Sequence, residues 1–296
     1  MEPIDIDGVR ALLAAKPRPV GWAARRARLD EIGSLWPVAA DVTLTPITIG
    51  ELAAEWSSVP GSDASRVLLF FHGGGYCSGS IPSHRRMVTE AGRAAGVRTV
   101  AVGYRLAPEH PFPAAFDDAL TTWHFVRRQG IAARHIAVGG DSAGGGLSLA
   151  LTLKLLDDGE ELPGCLWLSS PWVDLTLSGA TLATKDAVDP LIHKGYLGEL
   201  VDAYLGGAAI DRRDPRVSPL FARLTAIPPT LIQVGSAETL LDDAVRLAGA
   251  LGAVDVSVTL EVWPRMIHAW ALWNARLEAG RDALASAGAF MRRHLA

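Results

Sequence analysis

The chain has 296 residues, 49% hydrophobic and 20% charged, with a formal net charge of -4. That length fits one large α/β domain with a sizeable core, and the mildly acidic balance gives no basic footprint, so no nucleic-acid partner is expected. No run approaches the roughly 18 apolar residues of a membrane span, and the N-terminus lacks the unbroken apolar stretch of a signal peptide, so a cytoplasmic protein without a membrane partner is expected.

In chain order, residues 1 to about 40 are Ala- and Arg-rich and read as helical. VTLTPITIG and ELAAEWSS (42–58) alternate apolar and polar residues around Gly50, the pattern of an antiparallel hairpin on a sheet edge. Short apolar runs follow at 67–71, 99–104, 135–140, 165–170, 230–236 and 256–263, each fit for a strand buried on both faces. Helical spacing of apolar residues marks 114–128, 147–156 and 242–251, and one long helical stretch runs from Trp270 or so to Arg293. Alternation of this kind predicts a doubly wound α/β fold with a mostly parallel sheet. Residues 175–222, with helical signals around 195–205, form an insertion long enough for a lid. Nothing divides the chain into independent domains. Cys77 and Cys165, the two cysteines, read as reduced thiols packed as small apolar side chains.

The strand HIAVG runs straight into GDSAGGG and a helical segment, which places Ser142 at the centre of a G-x-S-x-G nucleophile elbow. Neither a G-x-G-x-x-G spacing nor a lysine follows these glycines, which disfavours a phosphate-binding turn. A serine hydroxyl needs a histidine to take its proton and a carboxylate to hold that imidazole, in the chain order Ser, acid, His. Of eight histidines only His193, His268 and His294 follow Ser142. His193 precedes every strand able to carry the acid, and His294 sits near the chain end on an amphipathic helix, leaving His268 between the last strand and the final helix. On the preceding loop Glu238, Asp242 and Asp243 compete. Asp242 also suits a helix cap or first turn, so Glu238 is favoured with Asp242 in reserve.

Four blocks, HGGGYCSGS (72–80), YRLAPEHPFPAAFDD (104–118), GDSAGGG (140–146) and SPWVDL (170–175), resemble the bacterial hormone-sensitive-lipase-like, or family IV, carboxylesterases of the α/β-hydrolase fold. The resemblance runs from about residue 40 to the C-terminus. It implies an oxyanion hole made by the backbone N–H groups of Gly74, Gly75 and Ala143. It aligns Glu238 with the catalytic acid, a position where relatives more often have Asp, and gives His72 and Asp141 supporting roles beside the hole. Arg105 and Asp118 are expected to anchor loops. Residues 1–40 and 175–222 would form a cap. The implied activity is hydrolysis of short to medium acyl esters with no metal or organic cofactor, on a small-molecule ester substrate. Homodimerisation through the edge strand VSVTLEVW is implied unless the chain's own helices cover it. Two alternatives stay open: removal of an acetyl group from an N- or O-acetylated small molecule, and non-catalytic binding of a small molecule.

Overall fold

The computed structural model describes residues 2–207 and 209–295. Helices α1 (Ile6–Ala14) and α2 (Trp22–Ser34) lead into the hairpin β1 (Thr43–Ile49) and β2 (Leu52–Ser58), which turns at Gly50. Then come β3 (Asp63–Phe71), α3 (Ile81–Ala95), β4 (Val97–Gly103), α4 (Ala114–Arg128), β5 (Ile136–Asp141), α5 (Ala143–Asp157) and β6 (Cys165–Ser169). The insertion carries α6 (Thr181–Thr184) and α7 (Lys194–Leu205), and the chain closes with β7 (Thr230–Gly235), α8 (Leu241–Gly252), β8 (Val258–Trp263) and α9 (Glu278–His294). The eight strands form one sheet in the order β1-β2-β4-β3-β5-β6-β7-β8. Only the β1–β2 and β2–β4 pairings are antiparallel.

Alternation along β3 accounts for the two faces. Val67, Leu69 and Phe71 join a cluster that includes Phe116 and Trp123 of α4, Leu147 and Leu151 of α5 and Leu247 of α8. Leu68 and Phe70 point the other way, among Met87 and Val88 of α3 and Leu284 and Phe290 of α9. All five β3 residues are essentially inaccessible to solvent, and each such side chain contributes about 1.5–3 kcal/mol by burial. Both cysteines are free and buried. Among the described residues no helix is long and apolar enough to cross a membrane.

Two elements depart from the sequence reading. Helix α3 has no counterpart in it, because its inward face includes buried Ser83, His84 and Thr89 and so breaks the apolar period. Its start is nonetheless marked by a reciprocal Ser80–Ser83 capping box and a proline in the first turn. The long helix expected over 270–293 is two pieces, a 3-10 turn at Trp270–Trp273 and then α9 from Glu278. Buried Asn274 ends the first piece, its side-chain amide donating to the Ala271 carbonyl at 2.9 Å.

Register positions the loops at one end of the sheet. Phe71 lies opposite Gly140, so the segment after β3 emerges beside the end of β5. Gly235 lies opposite Trp263, which sets the loop after β7 against the loop after β8.

Candidate active site

Ser142 lies between β5 and α5 with φ 53° and ψ -121°, a strained conformation for a residue bearing a Cβ. The turn closes so tightly that a Cβ on Gly144 would sit 1.9 Å from the Phe71 carbonyl oxygen. Ser142 donates its backbone N–H to the Ser169 carbonyl, and its own carbonyl accepts from Trp172 N–H, both at 2.9 Å. These contacts pin the elbow to the loop after β6.

On the neighbouring loops, His268 and Glu238 meet. Glu238 is fully buried, and its Oε1 faces His268 Nδ1 at 3.3 Å. Its Oε2 accepts from Ser170 Oγ at 2.8 Å and from Gly235 N–H at 2.9 Å. Burial alone would lower the His268 pKa, but the hydrogen bond and charge of Glu238 outweigh it and hold the imidazole above the ordinary 6.5. Asp242 lies elsewhere, in the first turn of α8, where it accepts from Ala180 N–H at 3.0 Å. Asp243 is buried against the SPWVDL segment, accepting from the N–H groups of Val173 and Asp174, and burial pushes its carboxyl up to about 8. His193 caps α7 by accepting from Tyr196 N–H.

The glycine run wraps a bare backbone around the same space. Gly74 has φ +114° and Gly75 φ +63°, and a Cβ on Gly74 would lie 2.3 Å from the Ser78 carbonyl oxygen. Among the described residues no protein acceptor takes the N–H of Gly74 or Gly75. Ala143 is the first residue of α5, so its N–H is free of the helix ladder and lies at the positive end of the dipole. Gly74, Gly75, Ser142 and His268 line one cavity of about 320 Å³. Its walls come from the α1–α2 connection, from α2 and α7, and from Trp172.

His72 stacks on Tyr104 with ring centroids 4.2 Å apart, and its Nδ1 bonds the Gly73 carbonyl at 2.8 Å. Burial, aided by nearby His84, pushes its pKa down to about 3, so it is neutral and fixed in place. Asp141 is buried and accepts from Gly73 N–H at 2.8 Å. Arg105 forks onto Asp118, which also accepts the Arg105 backbone N–H at 2.8 Å, tying the segment after β4 to α4. Two residues to which the sequence assigned no role support the Glu238 loop. Ser170 holds Glu238, and Asp189 accepts from Thr239 N–H at 3.0 Å and from Leu191 N–H at 2.9 Å, joining the insertion to the Glu238 loop. Among the described residues no cluster of three or more His, Cys, Asp or Glu could hold a metal ion.

Residues 68–272 match a family model described as the alpha/beta hydrolase fold. An acetyl-hydrolase of Streptomyces hygroscopicus is 42% identical over 263 residues, covering 89% of this chain and 86% of that protein. An ethyl acetate hydrolase of Pseudomonas putida is 33% identical over 245 residues, covering 78% and 74%. Among solved structures, an esterase from the bacterial hormone-sensitive lipase family superposes with a TM-score of 0.93 at 37% identity, covering 98% of this chain and 96% of that one.

Proposed function

Because the chain belongs to the α/β-hydrolase family and, within it, to the hormone-sensitive-lipase-like esterases, we infer that it is a serine carboxylesterase acting on short to medium acyl esters. The observation that carries this reading is the Glu238–His268 contact on the wall of the cavity that also holds Ser142.

The Ser142 Oγ attacks the ester carbonyl carbon while His268 Nε2 takes its proton. Glu238 accepts the Nδ1 hydrogen, which keeps Nε2 free as the base and favours the imidazolium that forms. The carbonyl oxygen, now an oxyanion, receives hydrogen bonds from Gly74, Gly75 and Ala143, each contributing about 3 kcal/mol to the transition state. Collapse expels the alcohol, which takes the proton from His268, and leaves an acyl ester on Ser142. Water then gives a proton to His268 and attacks the acyl carbon through the same hole; the bond to Ser142 Oγ breaks, the serine takes the proton back from His268, and the acid is released.

Residues 1–40 and 175–222 act as a cap over the cavity. Leu200 of α7 lines the cavity beside the glycine run, its Cδ1 2.4 Å from where a Cβ on Gly75 would lie. The acetyl-hydrolase and ethyl acetate hydrolase relatives support short acyl groups. The test is a chain-length profile: p-nitrophenyl butyrate should be cleaved much faster than the palmitate ester, with Ser142→Ala inactive on both. A faster rate on palmitate would overturn the substrate assignment. The 42% identity to an acetyl-hydrolase favours a second reading, removal of acetyl groups from a hydroxyl or amine of a small molecule. Matched acetyl esters and acetyl amides separate the two. For self-association, β8 is the candidate face, an unpaired sheet edge with Val262 43% exposed. A monomer in sedimentation would remove that assignment.

A further inference from the structure

The N–H of Gly73, the first glycine of the run, does not face the cavity. It is bound at 2.8 Å by Oδ1 of Asp141, the residue before the nucleophile, and lies 3.3 Å from His84 Nε2. A Cβ on Gly73 would lie 2.3 Å from Asp141 Oδ2, so backbone and carboxylate are in direct contact. The carboxylate itself is 2% exposed, and a single backbone donor is a thin supply for a buried carboxylate. The further contact comes from His84 on α3, where the two carboxylate oxygens facing Nε2 place the ring hydrogen on that nitrogen. Its Nε2 lies 3.1 Å from Asp141 Oδ1 and 3.2 Å from Oδ2, and its ring is 3% exposed. His84 Nδ1 bonds Ser83 Oγ at 2.7 Å, and Ser83 is itself locked into the capping box that starts α3. The His84 ring also lies 5.6 Å from that of His72.

We propose that His84 is a positioning residue for the oxyanion hole: it holds the Asp141 carboxylate, and Asp141 holds the Gly73 N–H that sets the plane of the next two donors. This inference rests on the esterase reading. One rigid chain then runs from the N-terminus of α3 through His84 and Asp141 to Gly73, joining the two halves of the hole. Gly74 and Gly75 follow Gly73 directly, and Ala143 follows Asp141 by two residues. An apolar side chain at 84 leaves the buried carboxylate one donor short. Asp141 must then move or gain a proton, and either change tilts the peptides that carry Gly74 and Gly75. An oxyanion hole works because its donors are fixed before reaction, so loss of aim lowers kcat while ground-state binding is little affected.

The test compares His84→Leu, His84→Gln, Asp141→Asn and the Leu/Asn double variant of the full chain with p-nitrophenyl butyrate. Circular dichroism melting provides the check on folding. His84→Leu should lower kcat roughly 100-fold with KM within about threefold, and should weaken an alkyl trifluoromethyl ketone, which forms a tetrahedral oxyanion, by a similar factor. His84→Gln keeps an N–H donor of similar reach and should recover at least tenfold of the loss. The double variant should be no worse than the poorer single variant, because the two side chains act as one unit. Should His84→Leu fail to fold, His84→Gln and Asp141→Asn carry the kcat and ketone measurements alone. A folded His84→Leu with unchanged kcat and unchanged ketone affinity would overturn the proposal, as would an unchanged Asp141→Asn where His84→Leu does not fold, or multiplicative losses in the double variant. If the wild-type protein hydrolyses no ester, the esterase reading fails instead.

Discussion

Replacing Glu238 by glutamine exchanges one oxygen for an NH2 group at a fully buried position. The carboxylate has two positions to fill. Oε2 serves two donors, Ser170 O–H and Gly235 N–H, whereas Oε1 serves His268 alone. The single amide oxygen is therefore held at the Oε2 position, and the NH2 points at His268 Nδ1. Nδ1 must then become the acceptor, the ring hydrogen moves to Nε2, and the base facing Ser142 is lost. A wrong-tautomer substitution of this kind costs on the order of 10⁴ in kcat, or about 5.5 kcal/mol. Asp242→Asn keeps an oxygen for the Ala180 N–H on a half-exposed turn, so it should cost less than about threefold. The assay is kcat and KM on p-nitrophenyl butyrate, with melting temperature as the folding check. If Glu238→Gln stays within tenfold of wild type while Asp242→Asn loses a hundredfold, the tautomer argument is refuted and the acid role passes to Asp242.

Further outcomes follow from the same contacts. The acid limb of the kcat/KM profile should lie above 6.5, because the base acts only when neutral and Glu238 raises its pKa; a limb well below 6.5 would contradict that pairing. Gly74→Ala should lose at least a hundredfold in kcat, since its Cβ meets backbone. Gly75→Ala meets the Leu200 side chain first, so Leu200→Ala in the same chain should recover part of its loss, the strain at φ +63° remaining. Equal, unrescued losses would count against that distinction. Asp243 has a folded pKa pushed up from 3.8 to about 8, so the folded state binds the extra proton and stability falls as pH rises between those values. Asp243→Asn mimics the protonated acid while keeping an acceptor for Val173 and Asp174. Its melting temperature should gain on wild type as pH rises from about 5 to 8, and a constant difference would reject the account.

The strands and the elbow were legible because their signals are local. A buried β-branched run reads as a strand wherever it lies, and G-x-S-x-G states its own turn. The pairing of Glu238 with His268 was legible only as a choice among three carboxylates, because Asp242 and Asp243 stand on the same loop-to-helix stretch. The three differ in what the tertiary structure brings to them: Ser170 and Gly235 to one, Ala180 to another, Val173 and Asp174 to the third. Helix α3 was not legible, and His84 with it. A helix that buries serine, histidine and threonine has no apolar stripe to read, and the carboxylate that His84 faces lies 57 residues further along the chain. The break at Asn274 was hidden for the converse reason. Good helix formers lie on both sides, and one buried amide decides where the first piece stops.

The central claim is that Ser142 carries the acyl group between two half-reactions. Rapid acid quenching during turnover of p-nitrophenyl butyrate, followed by peptide mass analysis, tests it directly. The account predicts a butyryl ester on the peptide containing Ser142, formed in a burst, and neither adduct nor turnover in Ser142→Ala. Full turnover by Ser142→Ala, or an adduct on a different residue that forms at the rate of the burst, would contradict it.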